Sequence, residues 1–373
     1  MVARRLSLIL PLALLPALLG CHSAPVQPPL SPAALGAVVE HPGAPREALA
    51  RAIDDLFADS ASGETRAVLI LRDGHIVAER YAEGYGPNTR FIGWSMSKSV
   101  TAMVVGLLVS DGRLRLDEPA PIPAWQRPGD PRGEITIRDL MQMRSGLHHR
   151  ESTEPPYNAD TARMLFLDGR DDMAAYAEAQ PLEDEPGSTW RYSTATSVIL
   201  ADIATRALTD SHDPEARRRA MGDYLRTRLI EPAGLSSMVA EYDAAGTMAG
   251  GSMIHATLRD WAHFGELLRN QGMVQGKQIL PREWIGFMAS PSPTNPGYGA
   301  QLWLNRPQID GTKEMFPDRG PPGLFACVGH LGQYILVWPE GHLTVVRLGK
   351  TPDPQRPALL AHLADIVNLF SGE

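Results

Sequence analysis

The sequence predicts an α+β or α/β chain: an antiparallel sheet flanked by helices from both chain ends, with a helical domain inserted between its halves. Three observations predict it. Strand signals occur early, at residues 67–81, and return only beyond residue 300. The stretch between, residues 118–290, reads as helical segments separated by Pro and Gly loops, and a helical pattern closes the chain. In order, residues 46–57 place apolar side chains at helical spacing. Residues 67–71, an Asp73-Gly74 turn and residues 75–81 read as a β-hairpin. Residues 96–109 form a strongly apolar helix that Gly112 ends. Residues 135–143 and 194–207 are the clearest helices of the middle region. Strands follow at 301–304, 324–328, 333–338 and 342–348, then a helix at 357–369. Residues 46–95 and 295–373 or thereabouts would form a sheet lobe, and about 96–294 a helical lobe. There is no internal repeat and no long low-complexity tract.

Composition bounds the function. The chain has 373 residues, 43% hydrophobic and 21% charged, ordinary for a folded protein, and its net charge of −8 gives no broad basic face for nucleic acid. Arg4 and Arg5 precede an apolar run at 6–19 that contains Pro11 and Pro16 and ends at Gly20-Cys21, the pattern of a secretory signal occupying residues 1–20. A membrane span needs about 20 apolar residues, so this run suits cleavage better than permanent anchoring. Leu18-Leu19-Gly20-Cys21 resembles a bacterial lipobox, which would place the protein in the periplasm or cell envelope, lipid-anchored at Cys21; plain cleavage near Ala24 is the alternative. Loss of residues 1–20 leaves 33 cationic against 43 acidic side chains, a balance of −10. The Pro/Ala-rich residues 21–45 read as a spacer before a folded unit at 46–373. With Cys21 spent on the anchor, Cys327 has no partner for an intramolecular disulfide and reads as a small buried residue.

Only four of the 35 cationic side chains are lysines, and arginine stays charged and cannot serve as a base. One of the four, Lys98, follows Ser95 by three residues at the start of the apolar helix. That spacing puts hydroxyl and amine on one face, and the helix N-terminus favours a developing oxyanion. With 21 serines in the chain, less than one Ser-x-x-Lys is expected by chance. An N-capping Ser95 with a solvated Lys98 fits the local sequence equally well. Tyr192 follows a Pro186-Gly187 turn at the start of a helix, where a phenol beside a lysine could be ionised or could shuttle a proton; in isolation it reads as a packing residue. Gly329-His330-Leu331-Gly332-Gln333 lies between two strands. There a backbone N–H could complete an oxyanion site, or the segment could be a β-bulge. Tyr157 lies in a Pro-rich stretch that reads as a lid over the site or as a plain surface loop.

Together, Ser95-x-x-Lys98, Tyr192-Ser193-Thr194 and His330-Leu331-Gly332 resemble, in order and spacing, the serine hydrolases related to class C β-lactamases and D-alanyl-D-alanine carboxypeptidases. The resemblance runs from about residue 50 to 370. It takes in Ile135-Thr136-Ile137-Arg138-Asp139-Leu140, Ser145-Gly146-Leu147, Pro186-Gly187, Gly250-Gly251-Ser252 and Leu258-Arg259-Asp260-Trp261-Ala262. The branch it most resembles is the esterase and 6-aminohexanoate-dimer hydrolase group. The resemblance implies a β-lactamase-like fold with Ser95 as nucleophile and Lys98 and Tyr192 as the proton-transfer pair. It further implies the N–H groups of Ser95 and Gln333 as oxyanion hole, with His330, Gly332, Thr194 and Tyr157 near the substrate. Two departures stand out. Thr194 replaces the usual Asn of the tyrosine motif, and His330 replaces a lysine that anchors the substrate carboxylate in penicillin binders. Both argue against an efficient β-lactamase and leave ester or amide hydrolysis by acyl transfer intact.

Other classes fit less well. An α/β-hydrolase would need Gly-x-Ser-x-Gly, and Gly93-Trp94-Ser95-Met96-Ser97 lacks the second glycine. His148-His149 is an adjacent pair, expected in a solvated loop, and no His-Glu-x-x-His is present, so no metal or other cofactor is expected. A D-alanyl-D-alanine carboxypeptidase, a weak β-lactamase, a non-catalytic cell-wall-binding relative and a lipid-anchored scaffold remain as alternatives. The expected partner is a small ester, amide or peptide.

Overall fold

The two ends of the chain meet in one sheet. The computed structural model describes residues 29–372; the signal segment, Cys21 and the first part of the expected spacer lie outside the described residues. The N-terminal elements are α1 (Pro32–Gly36), α2 (Arg46–Ala58), β1 (Glu64–Arg72), β2 (His75–Tyr81), β3 (Arg90–Ile92) and α3 (Ser97–Ser110). The middle holds α4 (Ile137–Met141), α5 (Asp160–Phe166), α6 (Met173–Glu178), α7 (Thr194–Leu208), α8 (Pro214–Leu225) and α9 (Glu231–Ala233). It continues through β4 (Val239–Ala240), β5 (Ile254–Thr257), α10 (Leu258–Arg269), β6 (Met273–Val274), β7 (Lys277–Gln278) and α11 (Arg282–Met288). β8 (Trp303–Leu304), β9 (Phe325–Gly329), β10 (Gln333–Trp338), β11 (Leu343–Lys350) and α12 (Arg356–Asn368) complete the chain.

The main sheet is antiparallel throughout, in the order β2-β1-β11-β10-β9-β8, so the first hairpin pairs directly with the last strand. The turn joining β1 to β2 has Asp73 at φ +52° and Gly74 at φ +79°, the two-residue left-handed geometry whose twist matches that of the strands it connects. β1 is buried on both faces. Val68 and Ile70 pack with Leu49 and Ile53 of α2 and Leu359 and Leu363 of α12; Ala67 and Leu69 share the opposite core with Phe264 and Leu267 of α10. This alternation explains why a strand paired on both edges and covered on both sides reads as one apolar run.

Three features differ from the sequence-based expectation. Residues 31–39, inside the expected spacer, fold against the sheet: Ala34 and Val38 are buried, Val39 N–H donates to Val77 O at 3.0 Å, and the Arg46 guanidinium caps carbonyls of Leu35 and Val38. Ser31 supplies the side-chain cap and Pro32 the first helical position, a start signal that Pro/Ala-rich composition conceals. The helix expected at 135–143 is only α4. Thr136 and Asp139 form a capping box that fixes its start, and Met143, at φ +57°, lies past its end. A second sheet, in the order β3-β5-β4, was not foreseen, because strands of two to four residues are too short to show alternation.

Candidate active site

The central helix α3 carries buried polar groups on an otherwise apolar body, and each has a partner. Ser97 Oγ accepts the Ile254 N–H at 3.1 Å, Ser99 donates to Gln301 O at 2.7 Å, and Thr101 donates to Gly250 O at 2.8 Å. These bonds tie α3 to β5, to the segment leading into it and, through Gln301, to the segment before β8, and they occupy Ser97 and Ser99, the two other serines of this turn. Ser95, partly exposed, sits in the 3-10 turn Trp94–Met96 that leads into α3. The second sheet sets that turn. Gly93 N–H donates to Ile254 O at 2.8 Å, and a Cβ on Gly93 would stand 2.5 Å from the Trp261 ring, so only glycine allows this approach. Trp94 then adopts φ +47°, a costly conformation for a bulky residue and one that clusters at functional turns.

Lys98 is 1% exposed, and its Nζ lies 2.9 Å from each of three oxygens: Ser95 Oγ, Thr194 Oγ1 and Gly251 O. Burial lowers its pKa to about 8, against the pull of the Glu151 charge. The amine also lies 4.9 Å from the centre of the Tyr192 ring. Tyr192 immediately precedes Ser193, whose hydroxyl caps α7 by accepting the Thr196 N–H at 3.1 Å. Tyr298 and Trp303 hold the phenol in place, with ring centres 6.0 and 5.3 Å away. Burial, then Tyr298 and the Glu151 charge, push the Tyr192 pKa well above 10, against a hydrogen bond with Ser95. Tyr192 is therefore a neutral phenol at ordinary pH. Of the two states the sequence allows, burial favours the neutral phenol over the phenolate.

Thr194, expected near substrate, is instead 1% exposed and spent inward, between Lys98 and the carboxylate of Glu151. Glu151 was not anticipated from sequence. Its Oε1 accepts from the Thr194 hydroxyl at 2.5 Å; its Oε2 accepts from Thr194 N–H at 2.9 Å, from Thr161 at 3.0 Å and from His149 Nε2 at 2.8 Å. Burial would raise this carboxyl, but the bond from His149, the Lys98 charge and the Thr194 hydroxyl outweigh it and hold the pKa at about 2. His149 was expected in a solvated loop and is buried, because it serves that carboxylate; His148 contacts Glu183 and Asp160. Among the described residues no group of side chains is arranged to hold a metal ion.

The other expected residues divide. β9 and β10 both contact the 3-10 turn, and Gln333 is registered opposite Gly329, which abuts Gly93 O. Sheet edge and candidate nucleophile are thus brought together. Gly332, at φ +78°, lets the chain turn, and Arg347 donates to its carbonyl at 2.8 Å. His330 is exposed and meets the Trp94 ring edge-on at 5.5 Å. Tyr157 is 64% exposed on a 3-10 turn, and no hydrogen bond or ring contact ties it to the site. Cys327 is buried, and burial raises its thiol to about 12, against a hydrogen bond with Ser99, which leaves it unreactive.

Known proteins carry the same arrangement of chain. The beta-lactamase family model matches residues 50–368. A 6-aminohexanoate-dimer hydrolase from Paenarthrobacter ureafaciens is 23% identical over 319 residues, 83% of this chain and 78% of that protein. Among solved structures, a Bacillus anthracis protein provisionally named a 6-aminohexanoate-dimer hydrolase superposes with a TM-score of 0.66 at 21% identity, covering 86% of this chain and 82% of its own. A family VIII carboxylesterase superposes with a TM-score of 0.59 at 17% identity, covering 86% and 97%. At these identities the superpositions establish the fold.

Proposed function

We propose, from the premise that this chain belongs to the beta-lactamase family of serine hydrolases, that it cleaves small carboxylic esters or amides through an acyl-enzyme on Ser95. The observation that carries this is the placement of Lys98: a buried amine, with its pKa lowered to about 8, 2.9 Å from Ser95 Oγ. Ser95 Oγ attacks the substrate carbonyl as its proton passes to Lys98 Nζ. The oxygen of the tetrahedral intermediate lies between the N–H groups of Ser95 and Gln333. Tyr192, protonated, relays a proton from Lys98 to the leaving alcohol or amine. Water then attacks the acyl-enzyme by the reverse transfers, returning acid product and free Ser95.

The carboxylesterase and the 6-aminohexanoate-dimer hydrolase among the similar proteins support ester and linear amide substrates, respectively. His330 stands where penicillin binders carry a lysine, and the loss of that lysine disfavours β-lactams. The test compares wild type with Ser95→Ala on short-chain p-nitrophenyl esters, a linear amide dimer, a chromogenic cephalosporin and a D-Ala-D-Ala peptide. Turnover of ester or amide that disappears in Ser95→Ala, with a fluorophosphonate adduct on Ser95, is expected. Full activity in Ser95→Ala sinks the proposal, and preferred turnover of the cephalosporin or the D-Ala-D-Ala peptide replaces its substrate class.

A further inference from the structure

We infer that Glu151 is a positioning residue: through Thr194 it fixes the direction of the hydrogen bonds around Lys98, so that the neutral amine presents its lone pair to Ser95. The inference rests on the proposed roles of Ser95 and Lys98 and adds a residue that the sequence motifs do not contain.

The hydrogens available around Lys98 set this direction. A carboxylate and a backbone carbonyl only accept. Both Glu151 oxygens are engaged by donors: the Thr194 hydroxyl on Oε1, and the Thr194 N–H, Thr161 and His149 on Oε2. The Thr194 hydroxyl has one proton, and Glu151 takes it at 2.5 Å. Toward Lys98, 2.9 Å away, the same oxygen can offer only a lone pair and so must receive an N–H. Gly251 O, also at 2.9 Å, must receive another. A neutral lysine amine has two hydrogens, and both are now assigned. Its lone pair is left for the third neighbour, Ser95 Oγ, which is the one group whose proton has to be removed. After transfer, the ammonium carries a third hydrogen directed at Ser95 Oγ, from which Tyr192 can pass a proton to the leaving group.

Without the charge on Glu151 this order fails. An amide at position 151 has one acceptor oxygen for the two donors of Thr194. If its NH2 faces the Thr194 hydroxyl, that hydroxyl turns and donates to Lys98, occupying the lone pair meant for Ser95. The charge has a second effect, since Glu151 raises the Lys98 pKa through space. The charged and titratable groups facing this cluster are Tyr192, Tyr298 and His149, with Arg356 beyond Tyr192.

The test measures kcat and kcat/KM against pH for wild type, Glu151→Gln, Thr194→Val and Thr194→Ser, with Ser95→Ala as reference. Glu151→Gln should lower kcat by about tenfold to a hundredfold with little change in KM, and move the acid limb of kcat/KM to lower pH. Thr194→Val, matched in shape, should lose a similar factor while Glu151 keeps the acid limb high; Thr194→Ser should keep most activity. A merely packing role for Glu151 predicts no movement of the limb. Wild-type kcat and an unmoved limb in Glu151→Gln overturn the inference. If that variant does not fold, near wild-type kcat in Thr194→Val overturns it instead. Either result with Ser95→Ala inactive leaves the hydrolase proposal standing, and activity in Ser95→Ala removes both.

Discussion

A lysine amine accepts a proton only while neutral, and at the scale of the residue the question is how Lys98 becomes so. In water a lysine is overwhelmingly charged at pH 7. Full burial on α3 lowers the Lys98 pKa to about 8, which brings the neutral form within reach of ordinary pH. Below that value the amine holds its proton and has no lone pair, so the sign of the pH dependence follows. The rate kcat/KM should fall about tenfold per pH unit below the limb near 8 and level off above it. An acid limb near pH 5 would point to a carboxylate or histidine and remove Lys98 from the role. Lys98→Arg should lose about a hundredfold or more in kcat/KM, nearly as much as Lys98→Ala, because guanidinium keeps the charge and has no base. Most activity surviving in the Arg variant would refute the assignment. At this scale, sequence legibility was uneven for a physical reason. Ser95 and Lys98 are neighbours along one helical turn, so their spacing displays them. Tyr192 and Gln333 stood out only in combination with that pair. Glu151 reaches Thr194 across 43 residues from a loop, and such a contact has no periodicity to read.

Among the elements, the turn between β9 and β10 has the most exacting task in the proposed mechanism, which needs its strands to hold a backbone N–H against the Ser95 turn. The Gln333 side chain pins it. Its Nε2 donates to His330 O at 3.0 Å, Leu331 O at 3.2 Å and Gly349 O at 2.7 Å, and its Oε1 accepts the Gly349 N–H at 3.0 Å. Gln333→Ala keeps the backbone N–H and removes this clamp. Buried carbonyls losing a donor cost about 1–3 kcal/mol each, so a lowered midpoint of urea unfolding is expected together with a fall in kcat of about tenfold. An unchanged midpoint and unchanged kcat would show that β11 and Arg347 hold the turn unaided. The strands of the main sheet were legible in the sequence because they are long enough to alternate or to run apolar, and α3 and α7 because they are buried almost all round. The strands β3 and β5, which set the Ser95 turn, were hidden by their brevity. α1 was hidden by a composition that resembles a linker, although Ser31-Pro32 is a valid helix start.

For the whole molecule, the proposal to weigh is attachment through Cys21. The chain after residue 20 carries a balance of −10, which repels an anionic bilayer, and no described helix is long and apolar enough to cross a membrane. The proposed anchor lies in the N-terminal segment, and the structure shortens the linker available for it. Because Ala34 and Val38 are docked on the sheet lobe, the stretch between Cys21 and the docked part of the chain ends near Ser31 rather than near residue 45. About ten extended residues span at most roughly 35 Å, so a domain anchored at Cys21 would work close to the membrane surface. Lipidation at Cys21 remains a proposal carried by the lipobox-like Leu18-Leu19-Gly20-Cys21. Growth with a clickable palmitate analogue should label the wild-type protein and leave Cys21→Ala unlabelled, with kcat/KM on a soluble ester the same in both. An unlabelled wild-type protein whose mature N-terminus follows Ala24 would replace the anchor with simple secretion. The hydrolase proposal would be untouched, since the described site draws no residue from the segment before Ser31.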